Sequence, residues 1–299
     1  MDIVCLGELL IDFTPCGASA AGMTLYERNP GGAPANVAVA AARLGLRAAF
    51  LGKVGDDLHG RFLRRTLAAE GVDVSGLVLD GAYPTTLAFV ELGADGERDF
   101  AFVRRGCGDT QLRPEELRPE LIRGAGLLHV GTLSLTQEPA RSAQRAAVAL
   151  ARAAGVMVSC DVNYRAPLWP DQASFLRETE ALLPQVDLLK VSDQEAALLT
   201  GQRDPEAAAL ALERRFGLCC AVTLGAAGAV LGGRRQAAFP ASAVDATGAG
   251  DCFWAAYLYG RLHSEPDPLR FACAAAALCV EKRGAIPAMP SLMDVRARL

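Results

Sequence analysis

The chain has 299 residues, with 30 Lys and Arg against 34 Asp and Glu, a net charge of −4 and a hydrophobic share of 51%. An acidic balance argues against a nucleic-acid surface. The strongly apolar, charge-free run at 271–280 is half the roughly 20 residues a membrane-spanning helix needs, and the length supports a large core without disulfide or metal staples.

The chain opens on Met1-Asp2-Ile3-Val4-Cys5, which carries no basic leader and reads as a first strand, so a cytoplasmic protein is expected. Apolar β-rich runs at 3–7, 48–54, 127–130, 156–161, 188–191 and 219–224 predict buried strands. Between them, segments of helical period at 34–44, 58–70, 139–154, 174–183 and 205–216 predict helices. Gly45, Gly71, Gly155 and Gly217 stand where C-terminal caps belong. This succession predicts an α/β fold with a mostly parallel sheet covered by helices on both faces.

Two stretches break the rhythm. Leu10 to Thr14 follows the first strand without a helix, and the runs 85–92 and 98–104 flank Ala94-Asp95-Gly96-Glu97, a hairpin turn signal. They predict a small β-sheet lid, inserted at about 9–30 and 83–106 of one domain, as a cover or a dimer surface. Leu87, Phe89, Phe100 and Phe102 alternate along it and are expected to face a second copy. The nine Cys form no C-x-x-C pair and read as reduced, buried thiols, and His59, His129 and His263 are too far apart for a local metal motif.

The most informative segment is Val244-Asp245-Ala246-Thr247-Gly248-Ala249-Gly250-Asp251. Glycines at a loop-to-helix junction let backbone amides converge on an anion, where the helix dipole also favours negative charge. Asp251, directly after that hole, is placed to take a proton from a hydroxyl attacking a phosphoryl group held there. A second motif, Gly31-Gly32-Ala33-Pro34-Ala35-Asn36, again sets two glycines before a helix. It gives a polyol close access to backbone, with an Asn amide that both donates and accepts. Neither a third fingerprint glycine, since Phe253 stands in its place, nor a Walker motif is present, which argues against a nicotinamide dehydrogenase.

Together, Gly31 to Ala38 and Asp245 to Asp251 resemble the two signatures of the PfkB, or ribokinase-like, family of sugar kinases, in the family's order and spacing. The resemblance implies a ribokinase-like fold and an ATP-dependent sugar kinase requiring Mg²⁺. Asp251 would be the general base, with Gly248, Ala249 and Gly250 as anion hole. Asp12, Gly31, Gly32 and Asn36 would bind the sugar, joined by Phe102 and Arg104 from the lid and Arg165. Lys190, Ser192, Glu195, Thr223, Gly225 and Gly228 would serve the nucleotide, Glu195 organising Mg²⁺ through water. Asp245, Thr247 and Gly284 match part of a K⁺ loop. Ser192 stands where the family usually has Asn, and Ala246 where Thr is commoner.

Among the branches, the runs 86–90, 95–100, 102–104 and 161–169 look most like fructokinases, implying fructose as acceptor and fructose 6-phosphate as product. The rival is a 2-keto-3-deoxygluconate kinase, for which Arg104 and Arg105 would grip a carboxylate. A retired kinase that binds sugar without turnover is disfavoured by the intact Asp251, Glu195 and glycine motifs.

Overall fold

Near-continuous apolar runs become strands buried on both faces, as a parallel sheet between helix layers requires. The computed structural model describes residues 1–92 and 98–299. In chain order the first half holds β1 (Ile3–Leu6), β2 (Leu10–Ala18), β3 (Thr24–Gly31), α1 (Ala33–Arg43), β4 (Ala48–Gly55), α2 (Leu58–Ala69), β5 (Asp73–Asp80), β6 (Leu87–Leu92) and β7 (Arg98–Val103). There follow α3 (Pro119–Arg123), β8 (Leu127–Gly131), α4 (Ala140–Ala153), β9 (Met157–Asp161), α5 (Gln172–Leu182), β10 (Leu188–Ser192), α6 (Asp193–Thr200) and α7 (Pro205–Phe216). The chain ends with β11 (Cys219–Thr223), β12 (Ala229–Leu231), β13 (Arg234–Gln236), α8 (Ala249–Leu262), α9 (Pro268–Cys279) and α10 (Leu292–Arg298).

The large sheet runs β13-β12-β11-β10-β9-β8-β1-β4-β5, parallel from β5 to β11 and antiparallel beyond. Each face carries its own apolar core. The runs expected to form strands are β1, β4, β8, β9, β10 and β11, and the helical-period segments are α1, α2, α4, α5 and α7. Gly45, Gly71, Gly155 and Gly217 all have positive φ just past a helix end. Sequence reading left β5, β12, β13, α3, α6, α9 and α10 unassigned.

The second sheet, ordered β3-β2-β6-β7, covers one end of the large one. Asp57 ties the two together: it caps α2 through the His59 and Gly60 amides and also accepts from Thr85, just before β6. The turn signal at 94–97 and the Phe100 side chain lie outside the described residues. Register corrects the expected dimer face. Asp12 pairs with Ala88 and Ala88 with Phe102, whereas Phe13 pairs with Phe89. Phe102 therefore shares the inner face with Asp12, while Leu87 and Phe89 lie on the outer one, where Phe89 stacks on Phe13 at 5.0 Å. All nine cysteines are free. No helix among the described residues is long and apolar enough to cross a membrane.

Candidate active site

From β1 the chain moves one way to β4 and β5, then to the other side for β8 through β11, so ligands belong in the crevice above β1 and β8. A cavity of about 490 Å³ opens there, bounded by the inner face of the lid, the strand ends and the N-terminus of α8.

Asp251 is the third residue of α8 and only 9% exposed. The helix starts from Gly248, whose φ of 77° is costly for a residue with a Cβ. Gly248 and Gly250 line the cavity with Asp251. Ala249 does not, and its amide turns to the Ala246 carbonyl at 3.2 Å. The positive end of α8 thus faces the space. Across it, Asn36 in the first turn of α1 donates Nδ2 to Asp251 Oδ2 at 2.8 Å. Burial, then the nearby Asp161 charge, push Asp251 up to about 7, while Lys190, the Asn36 bond and Arg165 pull it back. A carboxyl poised near neutrality suits accepting a hydroxyl proton.

Asp12 faces the cavity from β2, and burial lifts it to about 6 against the pull of Arg165. Gly31 lies beneath it, outside the lining, and a Cβ there would sit 2.1 Å from Asp12 Oδ2. Gly32 does line the cavity; its φ is 109° and a Cβ would meet the Glu8 carbonyl at 2.4 Å. Phe102 and Arg165 also reach the space, Arg165 steadied by the Tyr164 carbonyl at 3.1 Å.

Arg104 is placed differently from the expectation that it closes over the sugar. It is 4% exposed, pairs through Nε with Asp109 at 2.7 Å, and donates to Thr136 Oγ1 at 2.8 Å and the Leu133 carbonyl at 2.9 Å. Its planar fork fastens the end of the lid to the segment after β8, and it borders a neighbouring cavity instead.

At the end of β10, Lys190, Ser192 and Glu195 line the cavity. Lys190 Nζ lies 2.9 and 3.0 Å from the Asp161 carboxylate; burial opposes its charge, but Asp161, Glu195 and Asp251 outweigh it and hold the amine protonated. A Cβ on Gly250 would come within 2.9 Å of that ammonium, so Lys190 abuts the glycine turn. Ser192 and Glu195 form a capping box on α6: Glu195 Oε2 accepts from the Ser192 amide at 2.7 Å and Oε1 from the Tyr164 amide at 2.6 Å. The helix-start role is real, and each oxygen keeps a further lone pair. A carboxylate fixed at the edge of this cavity fits a water-bridged Mg²⁺. Thr223, Gly225 and Gly228, at and after the end of β11, do not line the cavity; Thr223 Oγ1 donates to the Val191 carbonyl at 3.3 Å.

Asp245, Thr247 and Gly284 do come together. Asp245 Oδ1 accepts from the Thr247 amide at 2.8 Å and hydroxyl at 2.7 Å, and Oδ2 from the Gly284 amide at 3.0 Å. The carboxylate closes the loop, and these residues would border a K⁺ held beside it. Among the described residues no group of three or more His, Cys, Asp or Glu could hold a metal ion.

Two cavity residues, Glu8 and Asn163, and Asp161 behind Lys190, escaped sequence reasoning as independent signals. Glu8 is 2% exposed, and burial lifts it to about 7. Asn163 has a φ of 43°, uncommon for a residue with a side chain.

A family model described as pfkB family carbohydrate kinase matches residues 1–292. Fructokinase-2 of Solanum habrochaites is 41% identical, over 98% of this chain and 94% of its own. A fructokinase of Xylella fastidiosa with bound ATP superposes with a TM-score of 0.87 at 31% identity, covering 99% of this chain and 97% of its own. A fructokinase double mutant of Vibrio cholerae O395, in a fructose, ADP and potassium ion bound form, does so with 0.90 at 32% identity and the same coverage.

Proposed function

The chain belongs to the pfkB family of carbohydrate kinases, and we propose that it transfers the γ-phosphoryl group of ATP to the 6-hydroxyl of fructose. The observation that carries this reading is Asp251: a buried carboxyl lifted to about 7, held by Asn36, at the positive end of α8 in a cavity of sugar size. Similarity along the whole chain to fructokinases, including those with ATP or with fructose and ADP, supports both substrates.

In this reading the sugar lies between the lid and α1, against Asp12, Gly32 and Asn36, and ATP extends along the strand ends past Lys190 and Glu195. Asp251 accepts the proton as the sugar oxygen bonds to phosphorus and the bond to the departing ADP breaks. The α8 N-terminus and the Lys190 ammonium stabilise the charge that spreads over the transferring oxygens. Mg²⁺, bridged by water to Glu195, would neutralise the nucleotide's phosphates. K⁺ beside the Asp245 loop would stiffen the anion-binding turn, and replacing K⁺ with choline should then lower the rate. Closure of the lid keeps water from competing with the sugar.

An acid sugar fits less well, because Arg104 is committed elsewhere and Glu8 and Asp12 already bring two carboxyl groups to the cavity. We also propose a homodimer through the lid, whose edge strands expose Leu25, Tyr26 and Val103; a concentration-independent monomer in analytical ultracentrifugation rules this out. Nine free thiols and an ATP requirement match the reducing cytoplasm.

The deciding assay follows ADP release from Mg-ATP with fructose, 2-keto-3-deoxygluconate, ribose and glucose, with Asp251→Asn as control. Fructose-dependent turnover lost in the variant is the expected result. Preference for the acid sugar would keep the chemistry and transfer specificity to Arg165, and silence with sugar still bound would point to a kinase without turnover.

A further inference from the structure

Glu8 lies between β1 and β2, where the first strand ends at the crevice. One carboxylate oxygen, Oε1, accepts from the Ala33 amide at 3.1 Å. That amide opens α1, whose N-cap Gly32 has no side chain to satisfy it, so Glu8 caps the helix from outside it. The second oxygen, Oε2, is buried and takes no hydrogen bond from another described residue, although the carboxylate also feels its own backbone amide and the side chain lines the main cavity. Asn36 Oδ1, in the same cavity, is also buried without a partner while its Nδ2 holds Asp251.

A buried acceptor left unpaired is costly, and each one in a folded protein calls for a reason. Two of them bordering one cavity define positions for two donors, which is what adjacent hydroxyls of a polyol supply. The Arg104 charge pulls the Glu8 carboxyl down and Asp109 pushes it up, but the donors of Arg104 go to Asp109, Thr136 and the Leu133 carbonyl and none bonds Glu8. We infer that Glu8 is a specificity-determining residue for the acceptor sugar, Oε1 fixing the start of α1 and Oε2 accepting a hydrogen bond from one sugar hydroxyl. The assignment rests on the sugar-kinase reading of this cavity and adds a contact to it. It also couples recognition to the base, because the helix Glu8 caps is the one that carries Asn36.

The test is Glu8→Gln, which keeps an acceptor for the Ala33 amide but turns the other end of the group into a donor. The KM for fructose should rise by about tenfold or more, the worth of one good hydrogen bond, with the KM for ATP near wild type and the melting temperature no lower than wild type. Against a series of monodeoxy fructoses, the wild type should reject one analogue most strongly, and the variant should lose discrimination at that position alone. Glu8→Asp, with the charge kept and the reach cut by one methylene, must flatten discrimination at the same hydroxyl if the Gln variant folds poorly. An unchanged fructose KM with an unchanged deoxy pattern would reduce Glu8 to a helix cap and overturn the inference. Absence of fructose turnover in the wild type would overturn the underlying reading itself.

Discussion

Asn36 and Asp251, 215 residues apart in sequence, meet in a 2.8 Å hydrogen bond that joins the first turn of α1 to the first turn of α8. Each stands just after a glycine-rich turn, so one contact locks the two motifs into a single site. The amide donates to the carboxylate and favours its charged form, while burial and Asp161 favour the neutral one. The balance leaves a base that works near neutrality.

Asp251→Asn removes the proton acceptor while preserving shape and the partner for Asn36. The kcat should fall on the order of 10²–10⁴-fold, the usual worth of general-base catalysis, with the KM for ATP little changed. A near wild-type rate measured by coupled ADP release would take Asp251 out of that role.

The pH profile follows from the three raised carboxyls. Asp251 and Glu8 are lifted to about 7 and Asp12 to about 6, so each is increasingly protonated as pH falls through that range. In kcat/KM, which reports the free enzyme, the acid limb should be steeper than one proton. In kcat it should follow Asp251 and level off above about pH 7. A flat profile between pH 5.5 and 8 contradicts the assignment.

Asn36→Ala withdraws the bond that pulls the Asp251 carboxyl down. The midpoint of the kcat limb should move up, by about one unit for a bond worth about 1.4 kcal/mol. The fructose KM should rise as well. A raised KM with an unmoved midpoint would leave Asn36 as a sugar ligand with no hold on the base.

The parallel sheet and both glycine motifs were legible because apolar runs, cap glycines and loop-to-helix glycines are local signals. What was not legible depends on partners remote in sequence. Within the lid, alternation separates the two faces of each strand, but only the pairing of β2 with β6 and of β6 with β7 shows that Phe102 shares a face with Ala88 and Asp12 instead of Phe89. β5 hides because Gly76 interrupts it and charged residues end it, and Leu51 fills the space a Cβ on Gly76 would need. In α9, apolar residues occur on nearly every face because neighbours cover it all round, so helical periodicity fades. Arg104 misleads for a related reason: an arginine in sequence is read as exposed or ligand-seeking, and Asp109, Thr136 and Leu133 come from segments whose convergence only the fold reveals. Glu8 carried no sequence reading, because nothing local to it shows that the Ala33 amide, 25 residues on, donates to it.

Arg104→Met tests that correction. It leaves Asp109 buried without its cation, a loss of about 3–5 kcal/mol for a broken buried pair, visible as a lower denaturation midpoint. Arg104→Lys should restore only part of it, because one ammonium does not reproduce the planar fork. A large rise in fructose KM with unchanged stability would return Arg104 to the sugar site.

Stability and activity should separate at Asp251. Its pKa is raised from 3.8 in the unfolded chain to about 7 in the folded protein, so between those values the folded state binds a proton that the unfolded chain has released. The contribution to stability is fully present below about pH 4 and is lost as pH rises through 7, above which a buried carboxylate weighs on the fold. Asn at this position has nothing to ionise. Asp251→Asn should therefore melt above wild type at pH 8, by roughly 2–5 °C, and the gap should narrow steadily towards pH 5. Thermal denaturation of both proteins across that range checks the sign: a gap that widens on acidification, or one independent of pH, would show that the carboxyl is not held against its charge. The same substitution that slows transfer would then relieve the fold, as expected where burial is what tunes the base.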